Sequence, residues 1–231
     1  MIKGHIVWGC IALGTIACNG KLKTEETGGG ATAAAGAEPG TVDQQPSAPV
    51  GEPVSNDLVI GLWISNCVPN PNSTIAPANM VHYSFKADGT ATFRSYSYRD
   101  SDCETRYTKA DVDKLRAQLQ AEATAQGGPL TENELKEMDA LWYPPIVDIT
   151  YKMGRKYTNG LVEMDMNIKA QDGQITSSYL TIYLDKGVLY FAKVCSNVEA
   201  QFAVCGPVAG DKPENRGKKV NFDVGFEKQA S

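Results

Sequence analysis

Hydrophobic and polar residues alternate with a period of two in several short runs after residue 58. The clearest pair is Val81–Lys86 and Thr90–Tyr98, with Asp88-Gly89 between them. Such alternation is typical of a half-buried strand, because successive side chains point to opposite faces, and Asp-Gly is a strong hairpin signal. The pattern predicts about eight strands: Val59–Ser65, Val81–Lys86, Thr90–Tyr98, Ile146–Met153, Leu161–Ala170, Ile175–Leu184, Val188–Cys195 and Val220–Phe226.

One segment, at about residues 108–142, has the period of a helix instead. Apolar residues recur there at spacings of three and four up to a Gly-Gly-Pro sequence, which indicates an amphipathic helix. Thr131 and Glu134 then form a capping-box pattern, which predicts a second short helix. We therefore expect a helical insert between the third and fourth strands.

The predicted strands are mostly joined by short turns, so neighbouring strands should be antiparallel. An eight-stranded up-and-down meander that closes into a barrel has no free edge. Its interior is wide enough for packed side chains or for one small ligand. We expect a mainly β domain over residues 58–231, built as such a barrel with the helical insert. An open β-sandwich is the alternative.

The first 57 residues differ from this pattern. Residues 1–17 have a positive start, an apolar run and small residues before Cys18, as in a secretory signal peptide. The apolar run is shorter than the ~20 residues that a permanent membrane span needs. Residues 18–57 are rich in Gly, Pro and Ala and contain no aromatic residue. They cannot bury enough apolar area to fold, so we expect a flexible tether.

The sequence Thr15-Ile16-Ala17-Cys18 resembles the bacterial lipobox, in which a small residue precedes an acylated Cys that becomes the mature N-terminus. The resemblance implies a palmitate-type lipid anchor on Cys18 and an exported protein held in the cell envelope. The residue directly after Cys18 is Asn19 and not an Asp, which resembles the signal for delivery of enteric lipoproteins to the outer membrane. The alternative is an ordinary cleaved signal peptide in which Cys18 has no role.

Composition narrows the function classes. The chain has 22 basic and 27 acidic side chains, a formal charge of −5, which argues against bulk electrostatic binding of nucleic acid. It has 2 His, and one of them, His5, lies in the predicted signal peptide, which disfavours a His-based metal centre or a catalytic relay. The acidic run at residues 100–104 lacks the length of a calcium loop, so we interpret it as a solvated turn. We expect a protein that is not an enzyme and that carries no cofactor or metal.

Four cysteines lie in the predicted domain, and they are Cys67, Cys103, Cys195 and Cys205. An even number of Cys in an exported chain indicates disulfides, and no C-x-x-C pair suggests a metal site. Four Cys allow three pairings. We favour Cys67–Cys103 together with Cys195–Cys205, because the second pair is close enough in sequence to close a small loop.

Gly61-Leu62-Trp63, on the first predicted strand, resembles the G-x-W motif that opens lipocalins. In that family the Trp closes the floor of the barrel beneath an Arg near the last strand, which implies that Arg216 covers Trp63 here. The domain is also similar to small lipocalin-like modules of bacterial lipoproteins. Those modules often have a Cys shortly after the G-x-W motif, a phenylalanine-containing strand followed by Asp-Gly-Thr, and an aromatic strand followed by an Asp and a Cys. The counterparts here are Cys67, Phe85 with Asp88-Gly89-Thr90, and Tyr98 with Asp100 and Cys103.

These resemblances imply a membrane-anchored lipoprotein whose barrel binds a small apolar molecule. The tyrosines that we expect around the ligand are Tyr96, Tyr98, Tyr151 and Tyr183. Alternation places each of them on one face of its strand without saying whether that face looks inward, so core or exterior aromatics are the alternative. A second hypothesis is an interaction or inhibitor module for another envelope protein, which uses the helical insert and Leu141, Trp142 and Tyr143 at its end.

Overall fold

The computed structural model describes residues 51–71, 73–125, 127–170, 173–195, 205 and 208–230. The predicted signal peptide, Cys18 and the tether up to residue 50 lie outside these ranges. The described residues form ten strands, which are β1 (Glu52–Pro53), β2 (Gly61–Ser65), β3 (Val68–Pro69), β4 (Ala78–Phe85), β5 (Thr90–Tyr98), β6 (Val147–Lys156), β7 (Val162–Lys169), β8 (Ile175–Asp185), β9 (Val188–Lys193) and β10 (Lys219–Lys228). Two helices, α1 (Lys109–Ala125) and α2 (Glu132–Trp142), lie between β5 and β6.

Eight of the strands form a closed antiparallel barrel. β2 and β4 to β10 pair in chain order, and β10 returns to pair with β2, with Lys228 opposite Trp63. The predicted up-and-down barrel is confirmed, and the open sandwich is wrong because β2 and β10 are joined by a ladder. We call the end at which β2 begins and β4 ends the closed end. The opposite end, at which β4 and β6 begin, is the open end.

Residues 51–57, which composition places in the tether, are attached to the barrel. β1 pairs with the last residues of β6, and Val54 packs against the core. A short 3₁₀ helix, Asn56–Val59, follows and is capped by the Ser55 side chain. This segment is held mainly by backbone pairing and by the burial of Val59, which composition alone does not reveal.

The interior of the barrel is filled with large side chains from the inward faces of the strands. Fully buried examples are Trp63, Tyr83, Phe85, Met164, Met166, Leu180, Ile182 and Leu189. The Tyr83 ring lies 5.2–5.8 Å from those of Phe85, Phe93, Phe191 and Phe226. The alternation seen in the sequence therefore supplies a core in which large side chains of the described strands fill the centre of the barrel.

Trp63 lies at the closed end, where it is 2% exposed. Its Nε1 donates to the Val59 carbonyl oxygen at 2.7 Å, and Lys228 places Nζ 5.7 Å from the centre of its ring. Gly61 has a φ of +127°, and a Cβ there would lie 2.8 Å from Lys228 Cε. Glycine at this position therefore lets the lysine side chain cross β2 and cover the indole.

Arg216 does not cover Trp63, contrary to the prediction. It lies on the outer face of β7 and β8, where its guanidinium donates to the carbonyl oxygens of Met164 and Leu180 at 3.2 and 3.0 Å. It also forms an ion pair with Asp165. The reason is the direction of the last strand: β10 is antiparallel to β2, so its C-terminal end lies beside Trp63, whereas Arg216 precedes its other end.

The favoured disulfide pairing is confirmed. Cys67 is bonded to Cys103 across 36 residues, and Cys195 is bonded to Cys205 across 10 residues. Disulfides persist in oxidising compartments, which supports an exported protein. Among the helices of the described residues, none is both long enough and apolar enough to span a membrane.

Candidate ligand-binding site

The helical insert forms a small second core beside the open end of the barrel. Its buried members are Ala76, Val112, Met138 and Leu141. Arg116 of α1 and Asp139 of α2 form an ion pair at 2.5 Å that joins the two helices. The predicted capping box at Thr131 and Glu134 is present at the start of α2. The insert is therefore an ordered helix pair, and α2 lies against β5.

A cavity of about 260 Å³ lies between α2 and the open end of the barrel. On the barrel side it is lined by inward-facing residues of β4, β5 and β6, namely Asn79, Phe93, Ser95, Ser97 and Val147. On the other side its lining residues are Glu137, Ala140 and Leu141 of α2, then Pro144 and Pro145, with Asn70 and Ala76 from the loop before β4.

The cavity exists because the inward side chains of β5 become small toward the open end. The ring of Phe93 packs 5.2 Å from that of Tyr83 and forms a floor above the filled core. The next two inward positions along β5 after Phe93 are Ser95 and Ser97. These short side chains leave the space that α2 covers.

Asn79 is the most buried polar side chain of the cavity, at 1% exposure. Its Oδ1 accepts a hydrogen bond from Ser97 Oγ at 3.1 Å. Its Nδ2 has no hydrogen-bond partner among the described residues. A buried donor left unpaired costs about 1–3 kcal/mol, so such groups are rare and call for an explanation. A ligand with an acceptor atom in the cavity would provide one.

The electrostatic character of the cavity is mildly negative. Among the described residues that line it, Glu137 is the one charged side chain, and it is exposed at the rim. Tyr143 and Ile146, the chain neighbours of the lining residues Pro144 and Pro145, are 64% and 48% exposed. Two exposed apolar side chains thus flank in sequence the two prolines that line the cavity.

The four tyrosines predicted around a ligand do not share a cavity. Tyr151 points inward as part of the packed core, and its hydroxyl donates to the Lys86 carbonyl oxygen at 2.7 Å. Tyr98 is buried at the end of β5. Tyr183 lies on the outer face of β8, with its ring 6.1 Å from that of the exposed Phe222.

Tyr96 lies on the outer face of β5, away from the cavity. Its ring lies 4.4 Å from that of His82, and the Arg106 guanidinium lies 4.3 Å from its centre. Burial lowers the pKa of His82 from its ordinary value of 6.5, and the charges of Arg106 and Arg94 lower it further. Both effects favour the neutral form of His82, which lies within an aromatic and cationic cluster on the outer face of the barrel.

The acidic run after β5 folds as a turn, in agreement with its interpretation from the sequence. The Asp100 carboxylate accepts hydrogen bonds from the backbone N–H groups of Glu104 and Thr105 at 2.9 and 2.7 Å. A side-chain hydrogen bond from Thr105 is the main reason that the pKa of Asp100 is lowered, and the backbone N–H groups of Glu104 and Thr105 lower it further. The carboxylate thus closes the loop that carries Cys103.

The sequence contains part of the signal for the cavity, although it does not identify the site. The alternation of β5 places Ser95 and Ser97 on the same face as Phe93, which is unusual for a face that elsewhere buries large side chains. Nothing in the local pattern shows that α2 covers these serines. The site therefore arises from the meeting of two segments that are distant in sequence.

Comparison of this chain with protein-family models, with curated proteins and with solved structures finds no match.

Proposed function

We propose that this chain is a lipid-anchored envelope protein whose barrel binds a small molecule in the cavity under α2. The observation that carries this proposal is the unpaired Nδ2 of Asn79, buried in the wall of a cavity of about 260 Å³. The packed interior counts against a small apolar molecule in the centre of the barrel. The binding site is instead at the open end.

The position of the N-terminal segment agrees with this arrangement. β1 pairs with the last residues of β6, so the described chain enters the domain at the closed end. The cavity and α2 lie at the opposite end. A domain tethered through residues 18–50 to a lipid on Cys18 would therefore carry its cavity on the side away from its point of attachment.

The anchor is tested by mass spectrometry of the mature protein. We expect an N-terminal Cys18 that carries acyl chains, each buried methylene of which adds about 0.8 kcal/mol to membrane binding. The matched control is Cys18→Ser, which should move the protein from the membrane fraction to the soluble fraction. An unmodified N-terminus at another residue would show that the anchor is absent.

The cavity is tested with acetophenone, a small neutral ketone with an apolar ring, added to the full chain carrying Cys18→Ser. We expect shifts of the backbone amide NMR signals of Ser95, Ser97 and Ala140, with saturation at about millimolar concentration, because so small a ligand binds weakly. Ala140→Trp should abolish these shifts by filling the space. Ala121→Trp, on the exposed face of α1, should leave them unchanged.

Saturable shifts at these amides that survive Ala140→Trp would contradict binding in the cavity. The absence of any shift with the unsubstituted cavity would contradict the proposed function itself.

The second hypothesis, docking of an envelope protein on the helical insert, has weaker support. Leu141 is fully buried and Trp142 packs against the second core, whereas Tyr143 and Ile146 are exposed. The apolar side chains of the insert are thus mostly used to hold its own helices. An interaction role for this surface stays a prediction.

A further inference from the structure

The polar chemistry of the cavity specifies which atoms a ligand must present. Ser97 already occupies Oδ1 of Asn79, so the group that remains for a ligand is the Nδ2 amide. A primary amide nitrogen donates hydrogen bonds and does not accept them. The matching ligand atom is therefore an acceptor, such as a carbonyl, ether or hydroxyl oxygen.

The charge of the cavity disfavours one class of acceptor. A carboxylate or phosphate would meet Glu137 at the rim, and no cation stands among the described residues that line the cavity to neutralise it. Repulsion between like charges in a partly hydrated site weakens binding by a factor of about five. An uncharged oxygen avoids this cost.

The remaining walls are apolar and set the size of the ligand. Phe93, Leu141 and Val147 present hydrocarbon surfaces, and Pro144 and Pro145 extend them toward the rim. The volume of about 260 Å³ lies just below the 300–1,000 Å³ that is usual for pockets that bind drug-sized molecules. An aromatic ring or a short aliphatic chain fits this space.

We infer that the ligand is a small molecule without negative charge that presents an oxygen acceptor to Asn79 and an apolar ring or chain to Phe93 and Val147. This inference rests on the proposed function, because it concerns the same cavity. It goes further in naming the chemical class: a ketone, an amide, an ester or a similar neutral oxygen compound, and not a fatty acid or another organic anion.

Three probes with the same ring test the inference on the full chain carrying Cys18→Ser: acetophenone, ethylbenzene, which lacks the acceptor, and benzoate, which adds a negative charge. Binding is followed by the amide shifts of Ser95 and Ser97. Asn79→Leu should weaken acetophenone about fivefold, the usual effect of one lost hydrogen bond, and should leave ethylbenzene unchanged. Glu137→Gln should strengthen benzoate about fivefold and leave acetophenone unchanged.

The outcomes separate this inference from the proposed function. If none of the three probes shifts the cavity amides, the proposed function is wrong. If the probes bind in the cavity but Asn79→Leu weakens acetophenone and ethylbenzene equally, the acceptor requirement is overturned and the cavity stands. Benzoate binding as tightly as acetophenone to the chain with Asn79 and Glu137 intact would overturn the charge requirement. Should Asn79→Leu not fold, Asn79→Ala provides the same comparison.

Discussion

Trp63→Ala should lower the free energy of unfolding by about 4 kcal/mol, the usual cost of removing a large aromatic side chain from a core. The indole is 2% exposed and packs at the closed end beneath Lys228. Truncation would leave a cavity there and would also remove the partner of the Val59 carbonyl oxygen. Urea unfolding followed by far-ultraviolet circular dichroism measures the change without relying on the fluorescence of the residue that is replaced.

Leu62→Ala is the matched control, because Leu62 directly precedes Trp63 on the same strand and is 39% exposed on the opposite face. We expect it to cost less than about 1 kcal/mol, since its side chain already contacts water. Trp63→Phe should fall between the two variants, because it keeps most of the apolar volume but loses the hydrogen bond to Val59. Equal costs for Trp63→Ala and Leu62→Ala would mean that Trp63 does not hold the closed end together.

Removal of the longer disulfide by Cys67→Ser with Cys103→Ser should lower the free energy of unfolding by about 4 kcal/mol. In the chain-entropy account, a cross-link stabilises by restricting the unfolded chain, and the effect grows with the length of the loop. This bond joins cysteines 36 positions apart, and the loop between them includes the whole of β4 and β5. Urea unfolding of the double variant under oxidising conditions gives the measurement.

The shorter disulfide provides the control, because Cys195 and Cys205 are 10 positions apart and their replacement by Ser should cost about 3 kcal/mol. The difference between the two double variants tests the mechanism, since both remove one bond and two sulfur atoms. A larger loss from the shorter loop would indicate that native contacts around Cys195, and not the unfolded chain, determine the stabilisation. Strong reductant should bring the unsubstituted protein below either variant, because it opens both bonds.

The alternation of residues along the chain predicted the strands because side-chain direction in a strand is a local property. The Asp88-Gly89 hairpin between β4 and β5 and the capping box at Thr131 are visible in a few consecutive residues, and both are present. An even number of cysteines in a chain predicted to be exported indicated disulfides, and the short spacing of Cys195 and Cys205 favoured one of the three possible pairings. That pairing is the one observed.

The partner of Trp63 and the ligand-facing side chains were not predictable in this way. Lys228 and Arg216 are both cations near the last strand, and only the antiparallel register of β10 on β2 places Lys228 beside the indole. Tyr96 and Tyr183 occupy the positions that alternate with the inward residues of β5 and β8, so they lie on the outer wall of the barrel. Alternation divides a strand into two faces, and closure of the sheet decides which face becomes the interior.

What the sequence by itself determined is the mainly β domain, its helical insert and a set of four cysteines suited to two disulfides. The anchor at Cys18 lies outside the described residues and stays a prediction. What only the tertiary structure decided is that the barrel is filled near Trp63 and opens near Asn79, under α2. The physical reason is that packing depends on side chains brought together from distant strands. The two inward serines of β5 border a cavity because a helix that follows them in the chain folds back over the open end of the barrel.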